Sequence, residues 1–446
     1  MKINYLPTDL PTDEPAGSFF ADLQWRGLVH QTTDPALGAW LDGKPRTIYV
    51  GFDPTADSLH VGHLLGVMML RRFQRAGHRP IAVVGGATGM IGDPSGKSAE
   101  RNLLSKEQLQ LNIDGMKRQM EQFVDFDEGQ PRALLLNNFD WTGPWSYLEF
   151  LRDIGKNFPV NVMLAKDSVK SRLGRGDDGD SQAGMSYTEF SYMLLQAYDF
   201  VHLHDRHGCE LQAGGSDQWG NITAGIDLAR RMRGAHLNGF TWPLLTKSDG
   251  AKMGKTESGA VWLAADRTSP YQFYQYWFNV DDADAANCLR LLTELSQAEI
   301  EALDASRLAD AAKRESQRAL AEELTKLVHG DAGLAAAKQA TEIFFGAEIS
   351  SLTDRELGQI FADVPSKELP VSSLQGAGLP VIDALVEAGL AASKGEARRT
   401  VTQGGAYVNN RRVEGVEAAL TPASLASETV VVLRSGKKKY ALLRFA

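Results

Sequence analysis

Residues 46–52, RTIYVGF, form a short apolar run that ends in glycine and aromatic. A turn follows, DPTADS at 53–58. LHVGHLLGVMMLRRFQRAG at 59–77 then spaces its apolar residues as a helix does. HRPIAVVGGATG (78–89) reads as a second strand running into glycines. Helix-like 106–123, strand-like RALLLNN (132–138) and helix-like 145–155 follow. Strands joined through helices cannot pair as hairpins, so this alternation predicts an α/β fold with a Rossmann-like parallel sheet. In such sheets ligands bind beyond the carboxyl ends of the strands. Residues 51–63 and 85–97 both lie there.

Further along, LGRGDDGDSQAG (173–184) is expected to be a tolerated surface insertion. MSYTEFSYMLLQAYDFVHL (185–203) reads as a helix on which Tyr192, Gln196 and Asp199 are spaced i, i+4, i+7 and share one face. Residues 209–234 read as strand, glycine turn and helix, with Asp217 and Gln218 at the helix start. TKSDGAKMGKTESGAVWL (246–263) is a polar loop carrying lysines. Residues 270–345 look helical, and proline, glycine and serine rise over 350–378 as in a linker. No internal repeat is evident.

With 446 residues and 43% hydrophobic content, two or three domains are expected. Two cysteines, Cys209 and Cys288, argue for a reducing compartment rather than a disulfide framework. The N-terminus is too polar for a signal peptide, and no apolar run approaches the length of a membrane span. The net charge is −9, yet residues 379–446 hold 10 Lys and Arg against 6 Asp and Glu. A basic tail on an acidic body suits a polyanion, though a solvated face accounts for the same charges.

His60 and His63 are spaced i, i+3, without the intervening glutamate or the i, i+4 spacing of a zinc motif, and no third ligand is evident. A phosphate fits better. Helix N-termini expose N–H groups and a positive dipole end, and Thr55 and both histidines add donors. Gly62 lets a ring or sugar approach the backbone. GGATGMIGDPSGKS (85–98) is a glycine-rich loop with Asp93, Lys97 and Arg101. It fails the Walker spacing, because only three residues separate Gly92 from Gly96, and it fails the dinucleotide pattern at Val84. Lys252-Met253-Gly254-Lys255-Thr256 can neutralise a leaving pyrophosphate, though a solvated loop accounts better for these residues taken alone.

HVGH and KMGKT together resemble the HIGH and KMSKS signatures of class I aminoacyl-tRNA synthetases. ADLQWRGLVHQTT (21–33), YVGFDPTADSLHVGH (49–63), GGATGMIGDPSGK (85–97), TEFSYMLLQAYDF (188–200) and LQAGGSDQWGNITAG (211–225) resemble the bacterial tyrosyl-tRNA synthetases. Gly254 and Thr256 stand where the signature has serines, and a more flexible loop is expected from the change. The resemblance implies a catalytic domain over 1–242 with a dimer-interface insertion at about 125–185, and a signature-loop linker at 243–269. A helical tRNA-binding domain (270–345), a linker (346–378) and a small α+β RNA-binding module of the ribosomal-small-subunit type (379–446) would follow.

It also implies roles. Tyrosine attacks the α-phosphorus of ATP, and the aminoacyl group then passes to the tRNA. Thr55, His60, His63, Lys97, Arg101, Lys252, Lys255 and Thr256 would act on the phosphates. Gly51, Asp53, Gly62 and Asp217 would join the histidines and Lys255 in the ATP pocket, with Mg²⁺ accompanying ATP and no metal site of the chain's own. Tyr49 and Asp199 would bond the substrate phenol, Asp93, Tyr192 and Gln196 its ammonium, and Gln218 would face its carboxylate. Phenylalanine would leave Tyr49 and Asp199 unpaired, at a cost of roughly several kcal/mol. Many relatives carry cysteine or threonine at Val50, where the side chain touches ribose, so a modest change in ATP affinity is expected. In the tail, Ser393, Lys394, Arg398, Arg399, Lys437, Lys438 and Lys439 would meet RNA phosphates. A cytoplasmic homodimer is implied, with 150–164 as its interface. Two other readings compete. A tryptophan-activating relative would have no use for the Tyr49 and Asp199 pair. An RNA-binding protein on a retired synthetase body would have let the signature motifs erode.

Overall fold

The computed structural model describes residues 18–95, 104–127, 131–166, 169–170, 185–256, 259–349, 352–361, 364–437 and 439–446. Lys97, Arg101, Lys438, the acidic stretch 173–184 and the Thr256 side chain lie outside what is described. The chain forms two compact units, one of Met1–Arg267 with Trp277–Leu324, the other of Thr268–Tyr276 with Thr325–Ala446.

The first unit is built on a six-stranded sheet: β1 (Gln31–Thr32), β2 (Thr47–Phe52), β3 (Arg79–Val84), β4 (Leu134–Asn137), β5 (Leu211–Gly215) and β6 (Asn238–Trp242). Their order is β1-β6-β5-β2-β3-β4. All pairs are parallel except β1 against β6. Parallel strands are buried on both faces, which is why β3 reads as an unbroken apolar run. From β2 the chain passes through the helix Val61–Arg75 to β3 and on to β4. It then returns to the other side of β2 to lay down β5 and β6. Tyr49 therefore sits between Ile81 on β3 and Gln212 on β5. The sheet changes direction of growth at β2 and β5, and a crevice opens beyond their carboxyl ends.

Two buried arginines dock the helix Asp282–Leu292 onto this sheet unit. Arg72 donates to the carbonyls of Leu291 (2.8 Å) and Thr293 (2.7 Å), and Arg26 donates to those of Arg290 (3.2 Å) and Leu295 (2.8 Å). These satisfy carbonyls that a helix end leaves without partners. Burial and the neighbouring Arg26 pull Arg72 down to about 9, so it stays charged at neutral pH. Glu294 is held down to about 2 by Arg71 and Arg75, against the desolvation it suffers between them.

The second unit corrects the expected boundaries. Residues 346–378 are not a linker. They carry the helix Asp354–Ile360 and the strand Ser366–Leu369, which pairs in parallel with Lys439–Phe445 as the edge of a five-stranded sheet. Leu352, Leu357 and Phe361 share a core with Val430, Val432, Tyr440 and Leu442. The strand is mostly exposed and flanked by Pro365 and Pro370. Proline is tolerated at sheet edges, so the segment has a linker's composition and a strand's role. Beyond it, the helices Val381–Glu387 and Lys394–Thr402 pack through Leu385, Ala397 and Val401 on Val431, Leu433 and Leu443.

Arg72→Ala removes the side-chain donor of the buried Leu291 carbonyl and leaves that of Thr293 with only the longer bond from Arg26 (3.4 Å). It is expected to cost about 2–5 kcal/mol, read by urea unfolding.

Candidate active site

β2 ends in Gly51 and Phe52, and the chain turns through Asp53-Pro54-Thr55 into the helix Val61–Arg75. His60 caps that helix. Its Nδ1 accepts from the Gly62 N–H (3.0 Å), and the His63 Nδ1 accepts from the His60 N–H (3.2 Å). This is a capping box built from two histidines, and i, i+3 is the spacing it requires. The rings stack with centroids 3.9 Å apart. Since each Nδ1 accepts, each ring carries its proton on Nε2 as a donor. Gly62 serves the cap itself: a Cβ there would stand 2.8 Å from the His60 ring.

KMGKT forms a hairpin, Lys255–Thr256 pairing with Gly259–Ala260. Met253 is buried, its sulfur 3.3 Å from the Cys288 thiol. Gly254 has φ 82°, and a Cβ there would come within 2.8 Å of the Val61 Cβ. A side chain here would be strained by both conformation and contact. The chain after the hairpin pairs with the HVGH entrance. Val61 N donates to Val261 O (2.9 Å) and Leu263 N to Leu59 O (2.8 Å).

Both motifs open onto one cavity of about 370 Å³. At its buried end Asp199, on the helix Tyr187–His207, accepts from Asn138 Nδ2 (3.0 Å) and Trp141 Nε1 (2.8 Å). Burial lifts its carboxyl to about 7 against the pull of those two bonds. Among the described residues the buried Tyr49 hydroxyl makes no hydrogen bond, nor does Gln196 Oε1. Burial, then the Asp199 charge, push the Tyr49 phenol well above its ordinary value. Uncompensated buried polar atoms are costly and signal a polar ligand.

A second network lies beside the first. Gln218 Nε2 donates to Asp93 Oδ2 (2.6 Å), and Gln196 Nε2 to Gln218 Oε1 (3.3 Å). Asn221 Nδ2 bonds Gln218 Oε1 (3.2 Å) and Ser95 Oγ (3.3 Å). Tyr192 donates its hydroxyl to Asp53 (3.2 Å), which also accepts from Thr88 (2.9 Å). Tyr192 thus sides with Asp53 here rather than with Asp93.

Two family models match the chain: class I tRNA synthetases (W and Y) over residues 41–346, and the tyrosine–tRNA ligase C-terminal domain over 356–443. The tyrosine–tRNA ligase of Rhodopirellula baltica is 60% identical over 98% of both chains. The chain belongs to the tyrosine–tRNA ligase family. The ligase of Geobacillus stearothermophilus is 50% identical, over 96% of this chain and 99% of its own. The mitochondrial tyrosyl-tRNA synthetase of Aspergillus nidulans, C-terminally truncated, aligns at TM-score 0.65 and 32% identity, over 74% of this chain and 94% of that one. As a family member the chain is a class I aminoacyl-tRNA synthetase that works in translation.

The cavity gathers Tyr49, Gly51, Asp53, Thr55, His60, Gly62, His63, Asp93, Tyr192, Gln196, Asp199, Asp217, Gln218, Lys252 and Lys255. Val50 is buried and is not among the cavity's lining residues. In the tail, Ser393 caps the helix Lys394–Thr402, and Arg398, Arg399, Lys437 and Lys439 are exposed. Lys394 pairs with Asp383 at 2.8 Å. Sequence reasoning missed Asn138, Trp141 and Thr88. Asn138 had a signal, as the amide that ends strand-like RALLLNN; Trp141 had none.

The folded chain holds a proton on Asp199 more tightly than the unfolded chain does. That stabilisation is complete below about pH 4 and is lost as pH rises through about 7. Asp199→Asn is expected to abolish the loss, about 4 kcal/mol at its limit. Urea unfolding of both chains from about pH 4 to about pH 8 reads it as their difference.

Proposed function

We propose the following division of labour in the family's reaction. The chain activates L-tyrosine with ATP and transfers it to the 3′ end of its tRNA. In the first step a tyrosine carboxylate oxygen bonds to the α-phosphorus, and the bond from that phosphorus to the pyrophosphate oxygen breaks. No side-chain nucleophile is needed. Positioning and stabilisation of phosphate charge carry the catalysis.

Thr55, the Nε2–H groups of His60 and His63, and Lys252 and Lys255 meet that charge; Lys97, Arg101 and Thr256 are assigned to it by resemblance alone. Gly51, Asp53, Gly62 and Asp217 hold the nucleotide. Tyr49 and Asp199 take the phenol, whose O–H is the donor an ionised Asp199 accepts. Asp93, Tyr192 and Gln196 take the ammonium, and Gln218 turns to the carboxylate. The observation that supports this most is the buried Tyr49 hydroxyl without a partner beside the buried Asp199 carboxylate. Mg²⁺ travels with the phosphates of ATP. The described residues contain no group of three or more His, Cys, Asp or Glu able to hold it, and no step here runs through it.

The exposed cations of the second unit, Lys394, Arg398, Arg399, Lys437 and Lys439, with Ser393 and Lys438, contact tRNA phosphates. Cytoplasmic residence fits two free, buried cysteines. Among the described residues no helix is long and apolar enough to cross a membrane. Homodimerisation through 150–164 fits exposed apolar side chains in and beside that stretch, Leu148 (76% exposed) and Val160 (59%) among them.

Exchange of labelled pyrophosphate into ATP, run with each of the twenty amino acids, is expected with tyrosine alone and to be lost in Asp199→Ala. Exchange unchanged in that variant would overturn the phenol assignment. Sedimentation of the full chain is expected to give a dimer, and Leu148→Glu with Val160→Glu a monomer; a wild-type monomer would remove the dimer.

A further inference from the structure

The turn 53–60 carries Thr55 and His60, yet it contains no regular structure to hold it. The helix Lys106–Met120 does so with three residues of one face, spaced i, i+3, i+7. Asn112, itself buried, donates its Nδ2 to Pro54 O (2.9 Å), and Gln108 donates to Asn112 Oδ1 (3.0 Å), which orients that amide. At Gly115 the turn's backbone lies directly against the helix: a Cβ there would stand 1.9 Å from Asp57 O. Gln119 accepts from Leu59 N (2.6 Å) and donates to Ser58 Oγ (3.0 Å). The turn is thus gripped at its beginning, middle and end.

The opposite side of the turn is held by the chain that follows KMGKT. Ala264 N donates to Ser58 Oγ (3.3 Å), and Arg267 pairs with Asp57 (2.6 Å). The buried Ser58 hydroxyl therefore joins the helix face to the segment after the hairpin. None of Asn112, Gly115 and Gln119 lines the cavity.

We propose that Asn112, Gly115 and Gln119 are positioning residues for adenylate formation: this helix face sets where Thr55 and His60 meet the nucleotide phosphates. It rests on the reading that those two residues contact the phosphates. The phenol end of the cavity is built from Tyr49, Asn138, Trp141 and Asp199, so tyrosine binding without ATP does not depend on the clamp.

The test is the single-turnover rate of tyrosyl-adenylate formation at saturating ATP, measured beside equilibrium tyrosine binding without ATP. Gln119→Ala is expected to slow the step by about 10–100-fold, the scale of a misplacement near 1 Å, with tyrosine affinity changed by less than about twofold. Gln119→Glu keeps an acceptor for Leu59 N–H and is expected to recover part of the rate. In a Thr55→Ala, His60→Ala background, Gln119→Ala should add less than about threefold, because what it positions is gone. If the Thr55 and His60 changes leave the rate untouched, the underlying reading fails. If they slow it and Gln119→Ala does not, or if Gln119→Ala slows it equally in both backgrounds or weakens tyrosine binding in step with rate, the clamp is overturned.

Discussion

β2 lies between β3 and β5, and the active site depends on that placement. A parallel sheet built outward in both directions from β2 must leave its connections diverging at the switch, so a cleft forms above it. The HVGH turn leaves β2 at one lip of the cleft. The Asp217-Gln218 turn leaves β5 at the other. Helix N-termini start at both, bringing N–H groups that favour anions to the cleft.

The two signature motifs are one structure rather than two. Backbone pairing of 59–61 with 261–263, and the contact of Gly254 with Val61, bring KMGKT to the start of the helix that HVGH caps. The histidines use their Nδ1 atoms to finish that helix, which leaves Nε2–H as the remaining donor on each ring. One pair of side chains thereby caps the helix and turns its other ring nitrogens to the proposed phosphate site.

Charge inside the cleft is arranged by burial. Desolvation lifts the Asp199 carboxyl to about 7, and among the described residues its two donors, from Asn138 and Trp141, are neutral. Asp93 instead sits among amides, from Gln218 and Asn221. The two ends of the cavity therefore differ in kind, one a desolvated carboxyl and the other a carboxylate inside an amide network.

Much of this was legible in the sequence because periodicity and turn chemistry are local. The alternation of β2, the helix Val61–Arg75, β3 and β4, the polar stripe at 192, 196 and 199, and the two signature motifs all come from short-range patterns. The strand Ser366–Leu369 was not legible, because an exposed edge strand between prolines has no burial alternation to betray it. Nor were Trp141 and Asn138 as partners of Asp199, or Asn112, Gly115 and Gln119 as a clamp on the turn. Their spacing on one helix face is visible in the sequence, but nothing local says which loop that face will meet. Chain chemistry alone determined the elements and the reactive groups. Tertiary structure decided the partners, because hydrogen bonds between residues about 60 positions apart in the chain exist only once the sheet has brought them together.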